Sequence, residues 1–377
     1  MNNLYFDIAA TTPLDNNVSK LMTEIQNTVF GNPSSIHQFG QKSRSLIETA
    51  RRQMASSLNC KPNELIFTSG GSESNNLVLK GLLKAGDHLI TSSYEHPAII
   101  KVSQELEKCG VEVSYIKPSV DGIIDSNDIE SAIKQNTKLI SIMYVNNEIG
   151  SVNPIGNIVE VAKKNNIKVH TDAVQIIGKQ PLDIKKIDVD FLSIAAHKYY
   201  GPKGIGALFV KSGNILDSVL QGGGQEKNLR PGTENISGIV GMGLATQIAI
   251  QNVAENSKKI LDLENTFINE LNEKKINYKL NGKCRIPGIL NITFPAILGQ
   301  TLVMKLDLNG VAVSFGSACS SGTPKPSEVL LNLGLTSDEA LRTIRISIGK
   351  FHTDNDIYDL VSILNEILCN EYEKDTA

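Results

Sequence analysis

The sequence predicts an α/β fold, a large domain on a mostly parallel sheet with a smaller α+β domain beside it. Three observations carry that expectation. From about residue 60 to 210, short apolar runs alternate with helix-period segments, the pattern of strand–helix–strand crossovers. Polar residues cluster at the carboxyl ends of several of those runs (69–72, 146–147, 172–175 and 197–198), where open α/β sheets hold ligands. The pattern changes after about residue 255, and a chain of 377 residues exceeds one ordinary hydrophobic core.

Taken in order, 64–68 is the first strand-like run. Segment 72–84 places Leu77, Leu79, Leu82 and Leu83 at helical spacing. The run 87–92 is short and apolar, 97–109 reads as helix, and 111–116 alternates as a half-buried strand does. The runs 138–145, 168–173 and 191–195 read as buried strands. Pro154 stands where a helix can begin, ahead of Ile158, Val159 and Ala162. Segment 236–250 is apolar but interrupted by Ser, Gly, Thr and Gln, so a buried helix is expected there. No uninterrupted apolar run reaches the ~20 residues that a bilayer span needs. Beyond 255 come a helix over 256–274, apolar runs at 289–294, 301–308, 311–314 and 343–348, and an amphipathic helix over 354–368. The expected division is a large, cofactor-binding domain over 14–255 and a small domain formed by 1–13 and 256–377.

Composition narrows the function. Hydrophobic residues at 41% and charged residues at 20% suit a globular protein. A formal net charge of −3 without a basic block argues against direct nucleic-acid binding and against an anionic membrane as partner. The first residues lack a basic stretch followed by an apolar one, so a cytoplasmic protein is expected. Five cysteines at wide spacings form no CxxC pair, which argues against a disulfide framework and a structural zinc site.

Three motifs carry chemistry. At 68–76 a strand runs through Gly70 and Gly71 into a helix opening on Ser72. Free N–H groups at such a helix start bind phosphate, although most Gly–Ser helix starts are simple caps. Asp172 ends an apolar run; it either caps the next turn or pairs with a buried cation such as a pyridinium nitrogen. Lys198 follows another run and precedes a glycine-rich turn. A surface lysine is the common case, but a desolvated one is suited to Schiff-base chemistry.

Taken together, and with further motifs, the chain resembles the cysteine desulfurases of the NifS/IscS type, class V members of the fold-type-I pyridoxal-phosphate enzymes. The resemblance runs along nearly the whole chain. It includes Asp7-Ile8-Ala9-Ala10-Thr11-Thr12-Pro13, Gly31-Asn32-Pro33-Ser34-Ser35, the 67–75 turn, Glu95-His96 and Asn146-Asn147-Glu148-Ile149-Gly150. It continues through the Asp172 and Lys198 segments, the loop 222–233, Gly316-Ser317-Ala318-Cys319 and Arg345-Ile346-Ser347-Ile348-Gly349.

The resemblance implies roles. Lys198 would bond pyridoxal 5'-phosphate covalently, Asp172 would pair with its ring nitrogen, and His96 would stack on its ring. Gln175 and Asn147 would serve the ring-hydroxyl side. Gly71, Ser72, Ala196 and His197 would hold the phosphate, joined by Thr233 from the neighbouring subunit of a homodimer. Arg345, with Asn147, would bind the substrate L-cysteine, and Arg345 suits its carboxylate. Cys319 would be the nucleophile that keeps the sulfur as a persulfide, with His96 as proton acceptor for a thiol. Small residues around Cys319 predict a mobile loop that could serve both the cofactor and a sulfur-acceptor protein, either an iron–sulfur scaffold or a tRNA-thiolation enzyme. No metal site is expected, apart from transient contact of Cys319 with a cluster on a partner. Selenocysteine lyase or aminotransferase activity is the alternative on the same scaffold; the thiol favours sulfur transfer. One departure stands out: Ala195 occupies a position where relatives carry serine, removing a phosphate hydrogen bond worth about 1.5–3 kcal/mol.

Overall fold

The computed structural model describes residues 4–316 and 325–375. Its strands, in chain order, are β1 (Leu4–Tyr5), β2 (Leu65–Thr68), β3 (His88–Ser92), β4 (Glu112–Ile116), β5 (Thr137–Ser141) and β6 (Lys168–Asp172). They continue with β7 (Phe191–Ala195), β8 (Gly206–Val210), β9 (Lys279–Asn281), β10 (Ile289–Thr293), β11 (Val311–Ala312) and β12 (Thr343–Ser347).

A seven-stranded sheet of order β2-β8-β7-β6-β5-β3-β4 forms the centre. The pairs β3–β4, β3–β5, β5–β6 and β6–β7 are parallel. Branched residues meet across them, with Ile90 opposite Ile140 and Ile140 opposite Val169. Helices cover both faces, so β2, β3 and β7 are buried at every position, which explains why they read as continuous apolar runs rather than alternating ones.

Two elements depart from the sequence reading. Strand β8 is antiparallel to both β2 and β7, although its segment reads as a glycine-rich turn. A Cβ on Gly206 would lie 2.6 Å from Gly70 Cα, so glycine is what lets β8 run against the Gly70 turn. The expected strand 138–145 ends at Ser141. Beyond it Ile142, Met143 and Val145 are buried in a loop, held where Asn153 Nδ2 donates to the Met143 carbonyl and Asn146 Oδ1 accepts from the N–H groups of Glu148 and Ile149. An apolar run reports burial, and here burial is not pairing.

The antiparallel sheet β12-β10-β9 and the parallel pair β1–β11 belong to a second core. Helices Val253–Glu273, Gly299–Leu308 and Asp354–Asp375 pack there, with Phe267, Leu290, Phe294, Ile344 and Leu360 fully buried. Removing one such aromatic ring costs about 3–5 kcal/mol. The N-terminal segment bridges the two cores: Leu4 and Phe6 lie in the second, Ala9 in the first. Among the described residues no single helix is long and apolar enough to cross a membrane, and the apolar helix Ile236–Gln251 is largely buried.

Candidate active site

The carboxyl ends of β2, β3, β5, β6 and β7 open onto one cavity of about 330 Å3, within the usual range for small-molecule sites. The Thr68–Gly70 turn delivers helix Gly71–Leu82 with its N-terminus at the cavity. The first N–H groups of a helix have no intrahelical acceptor, and the helix dipole favours an anion there. Gly71 and Ser72 line this end. A Cβ on Gly71 would sit 2.8 Å from Val174 Cγ1, so a larger residue would crowd the cradle.

Asp172, at the end of β6, is buried yet lines the cavity. Its Oδ2 accepts from Asn75 Nδ2 at 2.7 Å, and its Oδ1 from the Val174 N–H at 3.2 Å. A buried carboxylate oriented in this way is matched to a cationic ligand atom. Lys198 closes the turn after β7, and its Nζ donates to the carbonyls of Ala9 and Ala10, each at 2.8 Å. Burial and then the Arg345 guanidinium push its pKa down to about 8, against the opposing pull of Asp172 and Asp7. Lys198 is therefore an amine that loses its proton far more readily than an ordinary lysine, suited to bond an aldehyde and to take up a proton.

His96 caps helix Pro97–Lys108, its Nδ1 accepting from the Ala98 N–H at 3.1 Å. Desolvation and then Lys198 push its pKa down, while Asp172 opposes them. With Nδ1 occupied as an acceptor, the neutral ring carries its proton on Nε2. The ring lines the cavity, with its Nε2 N–H left as a donor. The expected proton-acceptor role at Nε2 would require this cap to break. His197 bonds Thr11 Oγ1 through Nδ1 at 3.1 Å, and burial pushes it down to about 4, so it is a neutral ligand.

Arg345, on β12, reaches the cavity from the second core. Its Nη1 donates to the Asn147 carbonyl at 2.8 Å, and its Nη2 to Asp7 Oδ1 at 2.7 Å and Ser314 Oγ at 3.1 Å. Three of its five N–H groups are spent in this way, which leaves the second Nη1 N–H and the buried, unpartnered Nε. Asn147 and Gln175 also line the cavity. Gln175 Nε2 donates to the Ala9 carbonyl at 2.8 Å.

Two expected residues lie elsewhere. Ala196 is turned into the core; its N–H goes to the Ile205 carbonyl, and its own carbonyl accepts from Tyr199 and Gly201. Its neighbour Ala195 lines the cavity instead, because the tight turn Ala196–Lys198 reverses which residue faces out. Thr233 is exposed and does not line the cavity of its own chain. The loop before it is anchored by a buried two-pronged pair, Arg51 Nη2 to Glu226 Oε1 at 2.6 Å and Nη1 to Oε2 at 3.0 Å. Glu226 Oε2 also accepts from the Phe67 N–H at 2.7 Å. Arg230 ties the same loop to Glu73 in the first turn of helix Gly71–Leu82. Cys319 lies outside the described residues.

Sequence reasoning assigned no role to Asn75, Glu95, Lys179 or the pair formed by Glu148 and Ser327. Glu95 is fully buried, accepts from Ser92 Oγ and the Met143 N–H through Oε1, and is pushed up to about 8, first by burial. Ser327 Oγ donates to Glu148 Oε2 at 2.5 Å, fixing the start of helix Glu328–Asn332 beside the cavity. The proximity of Asn75 and Lys179 to known motif positions was the available signal, but neither spacing specifies a contact.

The assembled groups suit one ligand type: an anion at the helix N-terminus, a cationic ring nitrogen at Asp172, an aldehyde at Lys198 and an amino-acid carboxylate near Arg345. The family model described as aminotransferase class-V matches residues 4–360. The cysteine desulfurase IscS of Dictyoglomus turgidum is 42% identical over 371 residues, covering 97% of this chain and 94% of that protein. A solved NifS-like protein superposes with a TM-score of 0.92 at 33% identity, covering 97% of this chain and 99% of the other. The structure described as SspA in complex with cysteine gives a TM-score of 0.82 at 37% identity, covering 93% and 100%.

Proposed function

This chain belongs to the aminotransferase class-V family, and from that membership and the site we infer that it is a cysteine desulfurase, converting L-cysteine to L-alanine with transfer of the sulfur. Enzymes of this family depend on pyridoxal phosphate. The observation that carries the reading for this chain is the convergence of Lys198, Asp172 and the Gly71–Ser72 helix start on one cavity. These donors and acceptors fit the cofactor's aldehyde, ring nitrogen and phosphate. When bound, the cofactor supplies an electron sink that allows the substrate's Cα proton to leave.

The protein's own groups supply the rest. Lys198 Nζ is placed to take up that proton and return one, and its lowered pKa suits both tasks. Arg345 and Asn147, which both line the cavity, hold the amino acid's carboxylate end. His96 covers the ring face. Cys319, as thiolate, attacks the sulfur of the substrate; an S–S bond forms, the Cβ–S bond breaks, and a proton completes alanine. Substrate and enzyme thiol thus become alanine and an enzyme persulfide, with no external oxidant or reductant. A sulfur-acceptor protein, an iron–sulfur scaffold or a tRNA-thiolation enzyme, then takes the sulfur. The enzyme acts as a cytoplasmic homodimer in which Thr233 completes the partner subunit's phosphate site; its exposure outside its own cavity supports this.

Cys319→Ser tests the reading. The variant is expected to retain pyridoxal phosphate and to release almost no alanine, since a serine hydroxyl is scarcely ionised at neutral pH. Wild-type protein exposed briefly to cysteine should carry one extra sulfur on the Cys319 peptide by mass spectrometry. Wild-type alanine release from Cys319→Ser would overturn the persulfide step and favour a lyase that expels sulfur directly.

A further inference from the structure

Lys179 is a buried cation beside the active site that the mechanism above does not use. Among the described residues no carboxylate pairs with it. Its Nζ instead donates to Gln175 Oε1 at 2.6 Å. Burial, and then Lys198, push its pKa down to about 7, which is the cost of holding an ammonium there without a counter-charge, so this position is a poor choice for stability alone. The contact continues as a chain. Gln175 Nε2 donates to the Ala9 carbonyl at 2.8 Å, and Lys198 Nζ donates to the same carbonyl at 2.8 Å.

We propose that Lys179 is a positioning residue, which locks the Gln175 side-chain amide so that its nitrogen, not its oxygen, is presented to the cofactor. Both ends of the amide are fixed by groups with a single role. The Ala9 carbonyl only accepts, so it requires Nε2; with Nε2 spent there, the Lys179 ammonium, which only donates, meets Oε1. A primary amide nitrogen carries two N–H groups, and the one not spent on Ala9 is left for a ligand in the cavity that Gln175 lines. The ring oxygen of pyridoxal phosphate gains from a donor when it is anionic and is repelled by a flipped amide oxygen. Without Lys179, Oε1 loses its donor and the amide is held at the Ala9 end alone, so its second N–H is no longer kept aimed at the cavity.

This inference rests on the cofactor reading above, and the experiment separates the two. Pyridoxal phosphate retention of the loaded protein is followed by absorbance during dialysis for wild type, Lys179→Met, Gln175→Ala and the double variant. Lys179→Met is expected to speed cofactor loss about tenfold, the scale of one hydrogen bond to a charged acceptor. In the Gln175→Ala background the same change should alter the loss by less than about twofold, since Lys179 acts through Gln175. The melting temperature of cofactor-free Lys179→Met should hold or rise, because a buried charge is removed. Equal effects in both backgrounds, or no effect with Gln175 present, would overturn the proposal. Lys179→Leu gives the same comparison if the methionine variant does not fold. Wild-type protein that binds no pyridoxal phosphate would instead refute the cofactor reading itself.

Discussion

Asn75 donates its side-chain amide to Asp172 Oδ2 at 2.7 Å, inside the protein and out of reach of bulk water. The bond joins the fifth residue of the helix whose start receives an anion to the carboxylate that receives a cation. One helix thus shapes both ends of the ligand site.

Asn75→Ala leaves that carboxylate oxygen without its donor. A buried acceptor deprived of its partner costs about 1–3 kcal/mol. Cofactor affinity should fall roughly tenfold, measured by titrating cofactor-free protein with pyridoxal phosphate. An unchanged affinity would mean that the Val174 N–H suffices to orient Asp172.

Lys198 should react as an unusually acidic amine. Its pKa, lowered to about 8 by burial and then Arg345, makes the neutral form dominant above that pH. Covalent uptake of pyridoxal phosphate by the cofactor-free protein should rise with pH and level off above about 8. An ordinary lysine would keep gaining to about 10.4. Borohydride trapping followed by mass spectrometry of the Lys198 peptide gives the curve. Lys198→Ala should show no trapping and no cysteine turnover.

Glu226→Ala removes the anion from a buried pair, leaves Arg51 with the half-exposed Glu48 as its counter-charge and deprives the Phe67 N–H of its acceptor. Breaking one partner of such a pair costs about 3–5 kcal/mol. It also releases Glu226, Lys227 and Asn228, held at φ of 43°, 60° and 64°, where non-glycine residues are strained. Urea denaturation should show the loss. A change under about 1 kcal/mol would place the anchor elsewhere.

Ala195→Ser restores a hydroxyl at the cavity wall. If the phosphate lies against the start of helix Gly71–Leu82, retention of pyridoxal phosphate on dialysis should improve by up to about tenfold. Unchanged retention would mean that other donors already satisfy the phosphate.

What the sequence made legible depended on chemistry that is local in the chain. Asp172 and Lys198 each follow a buried apolar run and precede a turn, so their place at a strand end could be read directly. The Asn75–Asp172 bond could not, because it joins a helix to the end of a strand 97 residues later. Lys179 lies four residues beyond Gln175, but 174–179 is a succession of turns rather than a helix, so the spacing predicts no contact. Strand β8 is masked in the sequence by the glycines that lead into it, of which Gly206 makes the close approach to Gly70. The loop after Ser141 was mistaken for strand because buried loops and buried strands share one composition. For Ala196 the motif located the turn correctly, but only the backbone geometry decides which of two adjacent alanines faces the ligand.

The bridging N-terminal segment has a consequence for biosynthesis. Strand β1 pairs with β11, the Phe6 carbonyl accepts from the Ser347 N–H, and the Ala9 and Ala10 carbonyls meet Lys198. Residues 4–6 therefore gain their neighbours only once 311–347 have been made. At about 5–20 residues per second the interval is tens of seconds. Throughout it Leu4 and Phe6 have no second core to enter, and Lys198 emerges before the C-terminal residues that pin the segment walling it. Arrested chains ending before β11 should accordingly fail to retain pyridoxal phosphate, so that cofactor loading is a checkpoint on chain completion.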